Sequence, residues 1–237
     1  MASMVDESKR NAAAAAMEFV ESGMIIGLGT GTTAAFFLEF LAEEINDGLN
    51  IKGVPTSKAT RDLAETLGIP LLPVEHVERI HLTVDGADEI DPHANLIKGG
   101  GAALLREKII ANASDHMVVI ADEDKAVDVL GKFPLPVEVS PFGFTLTAKK
   151  VYDALRQAGV DKPIVKLREK RSGSGPLVTD GGNYILDCQC NEITTVQAAA
   201  LALSVVPGVV EHGLFISMAR TIILGDSEGA EILEFEY

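Results

Sequence analysis

Three stretches of this chain set acids, a lysine and hydroxyls beside glycine in a spacing suited to chemistry on a small anionic molecule. The first is Gly27-Leu28-Gly29-Thr30-Gly31-Thr32-Thr33, where three hydroxyls and a run of backbone N–H groups precede a helical pattern. The start of a helix favours an anion, so a phosphate is the natural occupant. A dinucleotide is the rival reading, but Thr32 stands where the third glycine of a dinucleotide turn belongs. The next strand ends in Pro55-Thr56-Ser57, with no acid for a ribose diol. A plain structural turn is the third reading.

The second stretch, Val84-Asp85-Gly86-Ala87-Asp88-Glu89-Ile90-Asp91, holds four carboxylates in seven residues just past an expected central strand, where open α/β sheets gather their ligand contacts. A solvated acidic turn closed by Asp91-Pro92 is the bland alternative. A metal is another: the five His form no His-x-His or His-x-x-x-His pair for a transition metal, while carboxylates alone could hold a hard cation. The third stretch is Lys98-Gly99-Gly100-Gly101-Ala102-Ala103-Leu104-Leu105-Arg106-Glu107-Lys108. Its glycines let backbone approach a ligand closely, and Glu107 falls one to two turns into the following helix. On an exposed face Glu107 is only a salt-bridge partner of Arg106 or Lys108. Near the sheet edge that carries Asp85 and Asp88, it is a carboxylate placed to take a proton beside a carbonyl.

Other chemistries lack their residues. No Gly-Lys-Ser/Thr follows the glycines, so a nucleotide P-loop is excluded. There is no Gly-x-Ser-x-Gly elbow and neither Cys neighbours a His, which leaves nucleophilic acyl transfer without support.

Alternating strands and helices must position these residues. A capped helix spans Asp6 to Glu21, with a stop at Ser22-Gly23. The strand Met24 to Leu28 and the helix Ala34 to Glu44 follow, then strands at Ile51 to Val54, Ile80 to Val84 and Met117 to Ala121, and helices at Lys58 to Thr66 and Ala102 to Asn112. Repeated βα units predict a Rossmann-like parallel sheet with helices on both faces. The rhythm breaks at Gly131 to Pro136. From Val137 the order becomes strand, helix (Thr147 to Ala158), strand (Ile164 to Leu167), strand (Tyr184 to Cys190), helix (Val196 to Val205) and strand (Val209 to Phe215), as in a ferredoxin-like α+β domain. The expected division is residues 1–130 with 211–237 as the catalytic domain and 131–210 as a small domain with an oligomerisation role. The tail, from Ser217, is expected to rejoin the first sheet.

Composition narrows the partners. Thirty-five acidic against twenty basic residues in 237 give a net charge of −15, which repels polyanions, so nucleic acid is not an expected partner. With 47% hydrophobic residues the chain can bury a full core and is not disordered. Its longest apolar runs fall far short of the ~18 residues a membrane span needs, and the N-terminal region does not read as a signal peptide. A cytoplasmic location is expected, with Cys188 and Cys190 as reduced core residues that share one face of a strand.

Taken together, the three stretches resemble the ribose-5-phosphate isomerase A family. The likeness is colinear over nearly the whole chain and extends to Ala121-Asp122 with Lys125, Leu130-Gly131-Lys132-Phe133-Pro134-Leu135-Pro136-Val137-Glu138-Val139 and Pro207-Gly208-Val209-Val210 with Gly213-Leu214-Phe215. The resemblance implies interconversion of D-ribose 5-phosphate and D-ribulose 5-phosphate through an enediolate, in the non-oxidative pentose phosphate pathway, with no metal or organic cofactor. It implies Glu107 as general base, Asp85 and Asp88 as partners of the sugar hydroxyls that assist ring opening, and Lys98 as the stabiliser of charge on oxygen. Gly86, Ala87 and Gly99, Gly100 and Gly101 become close contacts of the sugar, and Thr30, Gly31, Thr32, Thr33, Lys125 and Lys9 those of the phosphate. It further implies a homodimer or homotetramer. Leu105 and Pro55-Thr56-Ser57-Lys58 depart from the pattern of bacterial members, and Lys58 and Thr60 receive no role. The runner-up is a sugar-phosphate sensor on the same fold, against which stand the base Glu107 and the absence of a basic surface. An aminosugar-phosphate deaminase or coenzyme A transferase is the third class, and no His lies within the motifs.

Overall fold

The expected alternation is present in a computed structural model that describes residues 4–236. Helix α1 (Met4–Ala15) leads through one 3-10 turn (Ala16–Phe19) to β1 (Ile25–Leu28), followed by α2 (Thr32–Asn46), β2 (Lys52–Pro55), α3 (Lys58–Thr66) and β3 (Leu82–Asp85). Two short strands, β4 (Glu89–Ile90) and β5 (Leu96–Ile97), precede α4 (Leu104–Asn112) and β6 (Met117–Asp122). Next come β7 (Leu135–Val139), α5 (Phe144–Gln157), β8 (Ile164–Leu167), β9 (Tyr184–Gln189), α6 (Val196–Ser204) and β10 (Val209–His212). The chain ends with β11 (Leu214–Phe215), β12 (Thr221–Gly225) and β13 (Ala230–Glu234). Helix α1 stops well before Glu21, because the tighter 3-10 winding turns Met17, Phe19 and Val20 all toward the core.

The chain divides into two compact units. The first comprises residues 4–87, 106–126 and 217–236. Its six-stranded sheet runs β13-β12-β6-β3-β1-β2, parallel except for β13, which closes one edge antiparallel to β12. Side chains alternate across the strands. Ile26, Leu28, Leu82, Val84, Val118, Ile120 and Ile223 cover one face and pack against Ala12 and Ala13 of α1 and Phe37, Leu38 and Leu41 of α2. On the opposite face Ile110 of α4 packs with Val54 and Ile80. Helices therefore lie on both faces, and the tail does return to this sheet.

The second unit is Asp88–Leu105 with Val127–Ile216. Its antiparallel sheet has the order β10-β7-β9-β8, so the βαββαβ sequence closes as the split βαβ of ferredoxin-like domains. Val137, Val139, Leu186 and Cys188 meet Val151 and Leu155 of α5 and Ala199 and Leu203 of α6. A small second sheet, β11-β5-β4, belongs to the same unit. The divisions therefore differ from those expected: β4 pairs with β5, β5 pairs with Leu214 and Phe215 of β11, and residues 88–105 belong to the second unit. The strand expected over Val209 to Phe215 is likewise two strands in different sheets. It breaks at Gly213, where any Cβ would collide with the carbonyl oxygen of Lys98.

Cys188 and Cys190 are free thiols in the second unit's core. Burial pushes both thiols up, that of Cys190 to about 12, so neither ionises near neutrality. Among the described residues no helix is long and apolar enough to cross a membrane.

His116 lies just before β6. Its Nε2 lies 2.8 Å from Thr221 Oγ1, and its ring meets Phe19 edge-on at 5.7 Å. Burial, followed by the Arg220 guanidinium, holds its pKa below the usual 6.5, with Glu234 opposing. The folded protein therefore keeps the ring neutral while the unfolded chain takes up a proton first, so stability present above about pH 6.5 is lost as the pH falls below it. The thermal midpoint should drop more steeply between about pH 7 and pH 5 in the parent than in His116→Gln. Equal slopes would show that another group sets the acid limb.

Candidate active site

In the first unit the strands β2, β1, β3, β6 and β12 are parallel, so the loops after them lie along one edge. That edge is where such sheets collect ligand groups. Asp85 is the last residue of β3 and fully buried. Its Oδ1 accepts the backbone N–H groups of Thr30 at 3.0 Å and Gly86 at 2.7 Å. Gly29 lies directly against it, and a Cβ there would fall 2.5 Å from the Asp85 Cα. Strand β3 and the β1–α2 turn are thus locked together.

The hydroxyl of Thr30 faces the neighbouring loop. Its Oγ1 is 2.8 Å from Thr56 Oγ1, 2.9 Å from Ser57 Oγ and 3.0 Å from Thr60 Oγ1. The Thr60 hydroxyl donates in turn to the Gly29 carbonyl, and Thr56 to that of Leu28. Thr56, Ser57 and Thr60 were given no role from the sequence, although Ser57 followed three residues later by Thr60 is a helix-capping spacing, and Ser57 does cap α3. These hydroxyls hold the turn. What α2 offers to solvent is its first-turn backbone N–H groups and the exposed Thr32, while Thr33 is buried. Gly31 precedes the helix at φ 121°, in the left-handed half of the map that glycine tolerates.

Two cations belong to the same unit. Lys125 ends the short turn Glu123–Lys125 directly after β6, and is half-buried. Lys9 follows Ser8, whose carbonyl oxygen abuts Gly225 at the end of β12; Asn11, one half-turn on, donates to the Asp226 carbonyl at 2.9 Å. Thr30, Asp85, Lys125 and Lys9 are therefore all drawn to one edge. Glu107 lies in the first turn of α4 and is 3% exposed. Ile110, three residues later on the same helical face, fills the space beside Gly27 and Thr83. Glu107 is thus a buried carboxylate, and its reading as an exposed salt-bridge partner is overturned.

The second unit carries the remaining candidates. Asp88 Oδ2 accepts the Gly100 N–H at 2.8 Å, and the Asp88 N–H donates to Ile97. Lys98 is 2% exposed; its N–H donates to the Gly213 carbonyl, and its Nζ stands 5.4 Å from the centre of the Phe215 ring. A cation over an aromatic face is stabilised by the ring quadrupole. Gly99 (φ 108°) and Ala102 (φ 60°) form a turn closed by the Ala102 N–H on the Gly99 carbonyl. That turn delays the start of α4 to Leu104, two residues later than expected. Arg168, which stands in no recognisable motif, holds the carbonyls of Gly99 and Gly100.

The acidic stretch does not act as one group. Glu89 accepts the N–H groups of Gly131 and Phe133, and Asp91 those of His93 and Asn95. Glu89 and Asp91 are thus each satisfied on their own donors, and among the described residues no group of three or more His, Cys, Asp or Glu side chains could hold a metal ion.

The family model for ribose 5-phosphate isomerase A (phosphoriboisomerase A) matches residues 52–229, which hold Asp85, Asp88, Lys98, Glu107 and Lys125. The chain belongs to the ribose 5-phosphate isomerase A family. The ribose-5-phosphate isomerase A of Maricaulis maris is 58% identical over 226 residues, covering 95% of this chain and 97% of its own. The ribose 5-phosphate isomerase of Plasmodium falciparum superposes with a TM-score of 0.91 at 34% identity, over 98% of this chain and 100% of its own. A D-ribose-5-phosphate isomerase in complex with phospho-erythronic acid superposes with a TM-score of 0.90 at 39% identity, over 98% and 99%. As in those isomerases, a parallel-sheet core flanked by helices is joined to a separate antiparallel sheet.

Proposed function

We propose the route by which this isomerase interconverts D-ribose 5-phosphate and D-ribulose 5-phosphate. Glu107 takes the proton from C2 of the open-chain aldose as the carbonyl electron pair moves onto the C1 oxygen; the hydroxyl proton then passes from O2 to O1, and the enediolate collapses to the C2 ketone as the same carboxyl returns its proton to C1. Lys98 stabilises the negative oxygen, and Asp85 and Asp88 bind sugar hydroxyls and assist ring opening. The phosphate is received by the N–H groups of Gly31 to Thr33 with Lys125 and Lys9. No cofactor takes part.

The observation that carries this reading is the burial of Glu107 at the start of α4 in a chain of this family. A base shielded from bulk water keeps the proton it has taken and can deliver it to the neighbouring carbon. Phospho-erythronic acid, bound by one relative, joins a phosphate to a planar carboxylate that resembles an enediolate, which supports the same assignment. Dianionic phosphate and the carboxylates Asp85 and Asp88 repel one another, so the phosphate belongs at the threonine turn and the reacting carbons at the acidic end.

The test is the initial rate of D-ribulose 5-phosphate formation from D-ribose 5-phosphate with and without EDTA. Equal turnover in both supports the route. Binding without turnover gives the sensor reading in its place, and turnover abolished by EDTA gives the hard-cation reading of the acidic stretch. The exposed apolar side chains Phe142, Leu146, Leu201 and Val205 of the second unit support a homodimer or homotetramer assembled there, and we place the enzyme in the cytoplasm, where its thiols stay reduced.

A further inference from the structure

We propose that Arg168 is a positioning residue for the isomerisation, orienting the peptide planes of the Gly99-Gly100-Gly101 segment. This role rests on the isomerase route given above. Arg168 follows β8, and its backbone is fixed on both sides: its N–H donates to Ile185, and its carbonyl accepts the Leu177 N–H. The side chain is only 13% exposed, and its guanidinium forks onto Asp187, with Nε to Oδ2 at 2.9 Å and Nη2 to Oδ1 at 2.5 Å. Such a two-point pair fixes the guanidinium plane as well as its charge. The remaining nitrogen, Nη1, donates to the carbonyls of Gly99 at 2.9 Å and Gly100 at 3.1 Å.

Three consecutive glycines have little intrinsic preference for any one orientation of their peptide planes. In a trans peptide the C=O and the following N–H point in opposite directions. Holding the Gly99 carbonyl on Arg168 therefore turns the Gly100 N–H away from the guanidinium, and that N–H reaches Asp88 Oδ2 at 2.8 Å. Holding the Gly100 carbonyl turns the Gly101 N–H to the same side. Arg168 thus presents two successive N–H donors on the Asp88 side of the loop, directly after Lys98. One donor steadies Asp88, and on the isomerase reading the other is offered to a sugar oxygen.

The Arg168–Asp187 pair is more than a structural ion pair on this reading, because Lys cannot replace it. An ammonium keeps the charge but cannot fork onto Asp187 and reach two carbonyls together. Arg168→Lys, Arg168→Met and Asp187→Asn are compared with the parent for kcat and KM on D-ribose 5-phosphate, and for thermal midpoint. Arg168→Lys and Arg168→Met should lower kcat about 10- to 100-fold with KM changed less than about threefold, since misplacement by an ångström costs that much. Asp187→Asn, which loosens the guanidinium without removing it, should fall between them and the parent. Parent-like kcat in the folded variants overturns the role, as does a loss of kcat that disappears when each protein is assayed at the same interval below its own midpoint. If both Arg168 variants fail to fold, Asp187→Asn decides alone, and an unchanged kcat there overturns the proposal. An inactive parent removes the isomerase reading itself, which separates the two failures.

Discussion

Replacing Glu107 by Gln lowers kcat for D-ribose 5-phosphate by at least about 10²-fold while KM stays within a few-fold of the parent. The exchange keeps the shape of a side chain that is 3% exposed and removes its ability to accept a proton. Proton transfer by a placed base contributes about 10²–10⁴-fold, and an interaction needed only in the transition state appears in kcat and kcat/KM alike. A uniform rise in KM with kcat unchanged would instead make Glu107 a sugar-binding group, and parent-like kinetics would assign the proton to another residue. Steady-state assays at one pH distinguish the three results.

Gly29→Ala is the second large expected effect, on stability and activity together. The new Cβ would collide with the Asp85 carboxylate and stand 2.5 Å from the Asp85 Cα, which cannot move without displacing β3. Overpacking of that kind costs about 1–3 kcal/mol or more. For a chain of this length each kcal/mol lowers the midpoint by roughly 2–4 °C, so a loss of about 5–10 °C is expected. The control is Gly86→Ala, where the nearest atoms to a Cβ are the Ile120 carbonyl oxygen at 3.8 Å and that of Thr30 at 4.0 Å. Its midpoint should stay within a few degrees of the parent. Equal midpoints for both variants would show that β3 gives way easily and that the β1–α2 turn does not hold Asp85.

The parallel sheet and the βαββαβ unit were legible because their elements are long enough to show a period, and because glycine or proline marks their ends. Gly27 to Thr33 could be read as a strand, turn and helix from residue types alone, and Asp85 could be placed at a strand end. Strands of two residues show no period, so β4 and β5 went unseen, and with them the transfer of residues 88–105 to the second unit. The start of α4 was misjudged because Ala102, a good helix former by type, is held at φ 60° by the turn before it. Glu107 is legible as a candidate by type and place, yet its burial is not: α4 is seated on the sheet with Ile110 beside Gly27, which is far away along the chain. Arg168 is likewise distant from the glycines it grips, and no local pattern connects them.

The order in which the strands are synthesised has a different consequence. β12 lies beside β6 in the first unit's sheet, yet 98 residues lie between the end of β6 at Asp122 and the start of β12 at Thr221. At about 5–20 residues per second, β6 emerges with one edge uncovered for roughly 5–20 s before its neighbour is synthesised. During that wait the β7 to β10 sheet, whose strands all come from residues 135–212, can assemble by itself. A nascent chain paused before Thr221 therefore presents the hydrogen-bonding edge of a buried strand, and it is at this stage of biosynthesis that the protein is most open to aggregation and to capture by chaperones.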